Sequence, residues 1–392
     1  MKKRVYLDYS ATTPMKKEVL DEMLPFFNVQ FGNPSSIHCF GRENKAAIDK
    51  SRTTIAKTLN AGVDEIFFTG GGSESDNWAI KGVASALKNK GKHIITTEIE
   101  HHAVLHTCQF LEKEGYDVTY LKVDKYGLID IEELKAAIRP DTILITIMYA
   151  NNEIGTLQPI KEIGKIAKEN KIIFHTDAVQ AYGNIEMDVN ELGVDLMSLS
   201  AHKVYGPKGI GLLYIRKGTK IQPIIHGGAQ ERRRRAGTEN VPAIVGFGKA
   251  AELAYENIEE HSSRLIYLRD KLINGLTEKI PFVHLNGHPT KRLPGNVNIS
   301  IEFIEGESLL LMLDMVGVAC SSGSACTSGS LDPSHVLMAI GLTHETAHGS
   351  LRLTIGDYTT EEDIDYVIEN LPPIVERLRQ MSPLYEKVKG GN

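Results

Sequence analysis

The 392-residue chain has a net charge of −6, with 42% hydrophobic and 24% charged residues, an ordinary balance for a soluble globular protein of about two domains. That charge leaves no basic footprint for nucleic acid, and the four cysteines, none in a CxxC pair, argue against a disulfide scaffold or a standard zinc site. Met1-Lys-Lys-Arg-Val-Tyr-Leu7 lacks the apolar run of a signal peptide, and no stretch approaches the ~20 apolar residues of a membrane span, so a reducing cytoplasm is the expected location.

Val5 to Leu7 reads as a short strand ending in Asp8-Tyr-Ser-Ala-Thr-Thr-Pro14, and Lys16 to Phe27 as an amphipathic helix. The loop Phe31-Gly-Asn-Pro-Ser-Ser-Ile-His38 is dense in turn formers, and a helix is expected from about Gly41 to Leu59. Glu65-Ile-Phe-Phe-Thr69 is a strand, followed by Gly70-Gly-Gly-Ser-Glu-Ser-Asp-Asn77 and an apolar helix. Strand, glycine turn and helix N-terminus together suit an anion, because free N–H groups and the helix dipole favour phosphate; the plain alternative is a helix start. The strand His93–Thr97 ends at Glu98-Ile-Glu-His-His102. Paired histidines there could ligate a metal, but adjacent side chains diverge and no third ligand lies nearby in sequence. An imidazole lying flat on an aromatic cofactor is the other reading.

Val118–Leu121, Thr142–Met148 and Lys171–Phe174 are further strands with helical patterns between them, and this alternation predicts an α/β fold whose large, mainly parallel sheet carries helices on both faces. Asn151-Asn-Glu-Ile-Gly155 follows one strand, His175-Thr-Asp-Ala-Val-Gln180 the next, and Ser200-Ala-His-Lys203 the apolar run Val194–Leu199. Ligands of open α/β sheets bind beyond the carboxyl ends of the strands, so Asp177 and Lys203 suggest a shared site. An amine that holds an aldehyde and a carboxylate that keeps a pyridine nitrogen protonated suit pyridoxal phosphate; a surface lysine and a capping aspartate are the bland alternative. Gly206-Pro-Lys-Gly-Ile-Gly211 turns the chain into another strand, and Glu231-Arg-Arg-Arg-Arg235 reads as a phosphate- or carboxylate-facing loop.

From about Ala243 a long helix is expected to roughly Gly275, with a domain boundary inside it near Asn257. Residues 14–257 are expected to form the large domain, and 1–13 with 258–392 a smaller α+β domain. The latter includes Val297–Ile301, Leu309–Leu313 and Val316–Ala319, and closes with helices Glu361–Leu371 and Ile374–Met381. It also carries Ser321-Ser-Gly-Ser-Ala-Cys-Thr-Ser-Gly329. A structural cysteine packs among apolar neighbours, as Cys320 is expected to, whereas Cys326 is flanked by glycine and serine, the setting of an exposed nucleophile that must move. An incidental thiol in a flexible loop is the alternative; Cys39 and Cys108 read as incidental.

In combination, Ser-Ala-His-Lys203, His-Thr-Asp-Ala-Val-Gln180, Glu-His-His-Ala-Val-Leu105, Asn-Asn-Glu-Ile-Gly155 and Ser-Gly-Ser-Ala-Cys-Thr-Ser328 resemble the cysteine desulfurases of the NifS/IscS type, fold-type I pyridoxal phosphate enzymes, from Tyr6 to Tyr385. The resemblance implies that Lys203 holds the cofactor aldehyde and Asp177 pairs with the ring nitrogen. Gln180 would bond the ring hydroxyl, and His101 would stack on the ring and assist proton transfer. Gly72, Ser73, Ser200 and His202 would hold the phosphate, with Thr238 reaching the phosphate of the other subunit of a homodimer. Asn152, Arg352 and Asn33 would orient the substrate L-cysteine, Arg352 taking its carboxylate bidentately. Cys326 would take the sulfur as a persulfide and pass it to an acceptor such as an iron–sulfur scaffold, leaving alanine. A selenocysteine lyase or an aminotransferase on the same fold is the alternative activity. An iron–sulfur carrier needs converging thiols that the sequence does not offer, although Cys326 could ligate a cluster transiently.

Overall fold

The computed structural model describes residues 3–322, 333–383 and 385–386. Twelve strands are described: β1 (Val5–Tyr6), β2 (Ile66–Thr69), β3 (His93–Thr97), β4 (Asp117–Leu121), β5 (Thr142–Thr146), β6 (Ile173–Asp177), β7 (Leu196–Ser200), β8 (Gly211–Ile215), β9 (Val283–Leu285), β10 (Asn296–Ile301), β11 (Val318–Ala319) and β12 (Ser350–Thr354). Seven of them form one sheet in the order β2-β8-β7-β6-β5-β3-β4. Only β8 runs against its neighbours, so the sheet is mainly parallel, as the alternation of strands and helices implies.

Successive side chains of a strand point to opposite faces, and the sheet buries both. Phe67, Ile94, Leu144, Leu196 and Leu213 pack with Trp78, Ile80 and Val83 of the helix Gly72–Leu87 and Val104 of the helix His102–Lys113. Their neighbours Phe68, Ile95, Ile145, Met197 and Leu212 face a second cluster, built with Ile48 and Ile55 of Cys39–Thr58, Ile163 of Ile160–Glu169 and Phe247 of Val241–Glu256. A third apolar cluster joins Val5 and Leu7 to the antiparallel sheet β12-β10-β9 and to the helices Ile258–Lys279 and Glu361–Gln380. Among the described residues no helix is long and apolar enough to cross a membrane.

The helices differ from expectation at three places. Lys16–Phe27 is divided into Lys17–Met23 and Pro25–Asn28, because Pro25 lacks the N–H that would continue the first helix. The helix expected from Ala243 to Gly275 is two, Val241–Glu256 and Ile258–Lys279, broken where Asn257 takes φ −141° and ψ 44°. The two closing helices are one, Glu361–Gln380, despite Pro372 and Pro373 in its middle. Its apolar stripe (Ile364, Val367, Ile368, Leu371, Ile374, Val375, Leu378) is buried on both sides of the prolines, and that packing carries the helix through two missing hydrogen bonds.

Candidate active site

Strands β2, β3, β5, β6 and β7 all end at the same edge of the sheet, and the polar segments that follow them enclose a cavity of about 290 Å³. It is lined by Gly72 and Ser73 after β2, His101 after β3, Asn152 after β5, Asp177 and Gln180 at the end of β6, and Ser200, His202 and Lys203 at the end of β7; Arg352 enters from β12. The structure therefore brings ten of the candidate residues to one place. Asn33 and Thr238 are exposed and line no part of this cavity; the Asn33 side chain accepts from Ser35 N at 2.9 Å. Cys326 lies outside the described residues.

The N-terminal loop after β1 crosses this edge. The Lys203 amine donates to Ser10 O and, at 2.8 Å, to Ala11 O. Gln180 Nε2 also donates to Ser10 O, at 3.0 Å. Thr13 N and Oγ1 donate to His202 O at 3.0 and 2.9 Å, and His202 Nδ1 lies 3.2 Å from Thr12 Oγ1.

Asp177 Oδ1 accepts from Val179 N at 2.9 Å. Burial pushes the Asp177 carboxyl up to about 6 against the opposing influence of that bond and of Lys203. Asp76, one turn into the helix Gly72–Leu87, lies beside it and is raised well above the carboxylate range by burial and then by Asp177. Like charges this close and this buried disfavour double ionisation. Asp76, Asp177 and His101 present one donor atom each within 4.8 Å of one another, and Asp76 Oδ1 has no hydrogen-bond partner, so a cation placed there would be welcome. His175 Nε2 is 3.6 Å from Asp76 Oδ1, but this is no ion pair. Burial holds that imidazole down at about 3, and its nitrogens are engaged by Thr146 and Ser198 at 2.8 and 2.9 Å.

His101 caps the helix His102–Lys113: its Nδ1 accepts from Ala103 N at 3.1 Å. Burial, then the charge of Lys203, lowers it to about 4, so the ring is neutral and carries its proton on Nε2. Under it Glu100, wholly buried, accepts from Thr97 Oγ1 at 2.8 Å and from Met148 N at 2.9 and 3.1 Å, and burial raises it to about 8.

Arg352 is 2% exposed. Its Nη2 donates to Asp8 Oδ1 at 3.0 Å and its Nη1 to Asn152 O at 3.2 Å, while Nε has no partner. Asn151 shapes the turn that presents Asn152, its Oδ1 accepting from Glu153 N and Ile154 N at 2.9 and 3.0 Å. Also at the cavity wall, a Cβ on Gly72 would sit 2.9 Å from Val179 Cγ2 and 3.7 Å from Ser200 Cβ, and Gly71 has φ +153°. Backbone thus approaches closely at a helix N-terminus, a cradle suited to a phosphate. Of the arginine run, Arg235 pairs with Glu74 at 2.8 Å, whereas Arg232 and Arg234 lie over the Phe67 ring. None of the four lines the cavity.

Sequence reasoning overlooked Asp8, Asp76, Glu100 and Glu153. Asp76 carried a signal: it lies three and four residues before Ala79 and Ile80, on the buried face of an apolar helix. Cys320 is partly buried against the third apolar cluster, its thiol pushed up to about 12 by burial and then by Asp8. Cys39 is exposed and Cys108 buried.

These features define a small-molecule enzyme site on an α/β sheet, and the chain belongs to the aminotransferase class-V family, which it matches over residues 5–367. Among its relatives, the cysteine desulfurase IscS of Methanosarcina thermophila is 63% identical over 385 residues, covering 98% of this chain and 95% of that protein. The cysteine desulfurase IscS of Clostridium botulinum strain Hall is 61% identical over 388 residues, covering 98% of both. Two solved structures are each 41% identical. A NifS-like protein has TM-score 0.90 over 96% of this chain and all of its own, and SspA in complex with cysteine has TM-score 0.82 over 92% and all of its own.

Proposed function

We propose that the chain is a cysteine desulfurase that takes sulfur from L-cysteine, releases L-alanine and passes the sulfur to an acceptor for iron–sulfur assembly or related sulfur trafficking. The observation that carries this reading is the convergence of Lys203, Asp177, His101 and Arg352 on one cavity in a chain 61–63% identical to relatives of that name. The residues present fit pyridoxal phosphate. The Asp76–Asp177 pair suits a protonated ring nitrogen, the Gly72 cradle a phosphate, and the cavity one small ligand.

When bound, pyridoxal phosphate supplies an electron sink for the bond broken at the substrate Cα. Lys203 would hold its aldehyde and, once displaced by the substrate amine, move the Cα proton. Asp177 would keep the ring nitrogen protonated, Gln180 bond the ring hydroxyl, and Gly72, Ser73, Ser200 and His202 hold the phosphate. His101, neutral and fixed by its capping bond, would cover the ring face and assist proton transfer with its Nε2 proton. Arg352 and Asn152, with Asn33 at the rim, would orient the substrate carboxylate. The Cys326 thiolate would then attack the substrate sulfur. The sulfur–sulfur bond forms as the carbon–sulfur bond breaks, its electron pair staying with carbon, and one proton delivered to Cβ and one returned to Cα complete alanine.

We further propose a homodimer. Leu24, Phe27, Val29, Phe31 and Ile37 leave an apolar region 51% to 91% exposed, of the kind that marks an interface, and the exposed Thr238 would reach the phosphate of the second copy. Residues 14–257 would form the cofactor-binding unit and 1–13 with 258–392 the unit carrying Cys326, in keeping with the separate apolar clusters and the break at Asn257. A cytoplasmic location goes with this function. The test is product analysis of the holoenzyme with L-cysteine and a thiol reductant but no 2-oxo acid. Equal alanine and sulfide are expected. Turnover that requires a 2-oxo acid would show an aminotransferase, and turnover of selenocysteine alone a lyase.

A further inference from the structure

The rings of the adjacent His101 and His102 do diverge, with centroids 6.4 Å apart and planes at 54°. His102, however, turns toward two histidines that its sequence neighbourhood does not reveal together. His106, one helical turn on, has its ring centroid 4.9 Å away at 24°. The ring centroid of His335, at the start of the helix His335–Ala339, also lies 4.9 Å from that of His102, at 41°. This cluster is outside the cavity described above.

Two further observations point to a ligand. Nδ1 of His102 is buried with no hydrogen-bond partner. Nε2 of His335 donates to the backbone carbonyl of Glu100 at 3.0 Å, which fixes the ring and leaves the Nδ1 lone pair available; metal-bound histidines habitually donate their other N–H in this way. Burial lowers both His102 and His335, the direction that favours the uncharged ring. His106 is exposed, which opens the cluster to solvent. His106 stands stacked on His102 and His335 tilted against it, so a shared ion requires the exposed His106 to turn a nitrogen toward it.

We propose that His102, His106 and His335 form a site for one divalent cation of the zinc class, three imidazoles and one position left to water. Uncharged nitrogen ligands favour zinc, cobalt, nickel or copper over magnesium or calcium, which take oxygen. The bound ion would tie the helix capped by His101 to the helix capped by Ser334, whose hydroxyl donates to the buried Glu153 beside Asn152.

The test is equilibrium dialysis of zinc against the chelator-stripped holoenzyme in a Cys39→Ser, Cys326→Ser background, which removes the exposed and candidate thiols as competing ligands. One zinc per chain is expected, with affinity falling about tenfold or more in His106→Ala and further in His102→Ala. Because His106 is exposed, its removal leaves the fold intact. Cobalt bound in place of zinc should show the visible bands of a nitrogen–oxygen site, lost in the same variants. No stoichiometric zinc, or equal affinity in His106→Ala, would overturn the proposal.

Discussion

Arg352→Lys isolates what the guanidinium contributes to substrate recognition. Lysine keeps a cation opposite Asp8, so that carboxylate is not left unpaired, and the strand bonds between the Arg352 and Ser321 backbones, 3.3 and 2.7 Å long, are untouched. What is lost is the planar fork that reaches Asp8 and Asn152 O at 3.0 and 3.2 Å and still has Nε free for an incoming carboxylate. One hydrogen bond to a charged group contributes about 1.5–3 kcal/mol, so KM for L-cysteine should rise roughly 10- to 150-fold with a much smaller change in kcat. Cysteamine, which has the amine and thiol but no carboxylate, supplies the control. Its KM should be nearly the same in the variant and the wild type, measured as sulfide release under reductant. A KM for L-cysteine within about twofold of wild type, or an equal loss for cysteamine, would refute a carboxylate-binding role.

The remaining predictions concern the frame of the site. Arg52 and Glu231 form a bidentate pair at 2.8 Å with both side chains 4% exposed, and Glu231 also accepts from Phe68 N at 3.0 Å. Arg52→Met strands that carboxylate and should lower stability by about 3–5 kcal/mol in urea unfolding of the holoenzyme, whereas a loss below about 1 kcal/mol would contradict a buried ion pair. Gly72→Ala puts a methyl group 2.9 Å from Val179 Cγ2 in the phosphate cradle, and should hasten cofactor loss on dialysis. Unchanged retention would move the phosphate elsewhere. Glu100 holds its proton to about pH 8 when folded but ionises near 4.5 when unfolded. The native state therefore binds more protons between those values, and stability falls as pH rises through the window. Glu100→Gln does not titrate, so its stability relative to wild type should grow from pH 4.5 to 8 by about 4 kcal/mol. A constant difference across that range would show that Glu100 is ionised throughout.

How much of this was legible depended on whether the signal was local. Apolar runs that stop at His101, Asp177 and Lys203 are strand ends with polar clusters attached, and a parallel sheet puts such ends at one edge. Long-range pairings are another matter. Asp8 meets Arg352 across 344 positions and Ser334 meets Glu153 across 181, and no periodicity encodes which carboxylate finds which partner. Asn151 was read with its neighbours as part of a motif, whereas its amide shapes the turn and leaves Asn152 to face the cavity. The course of the arginine run is not legible for a similar reason. Glu231, Arg232 and Arg233 adopt positive φ, a backbone path that sequence does not announce, and it lays two of the arginines on Phe67 instead of in the site. Pro372 and Pro373 fall between the two closing helices that the sequence predicts, because local propensity disfavours proline in a helix, but a continuous buried stripe overrides it.

The most direct test of the central claim is single-turnover mass spectrometry of the holoenzyme mixed with one equivalent of L-cysteine. The desulfurase reading predicts a mass gain of one sulfur on the peptide containing Cys326, together with one equivalent of alanine, and loss of both in Cys326→Ser. Alanine formed with no sulfur on that peptide, or sulfur carried instead by Cys39, would contradict it.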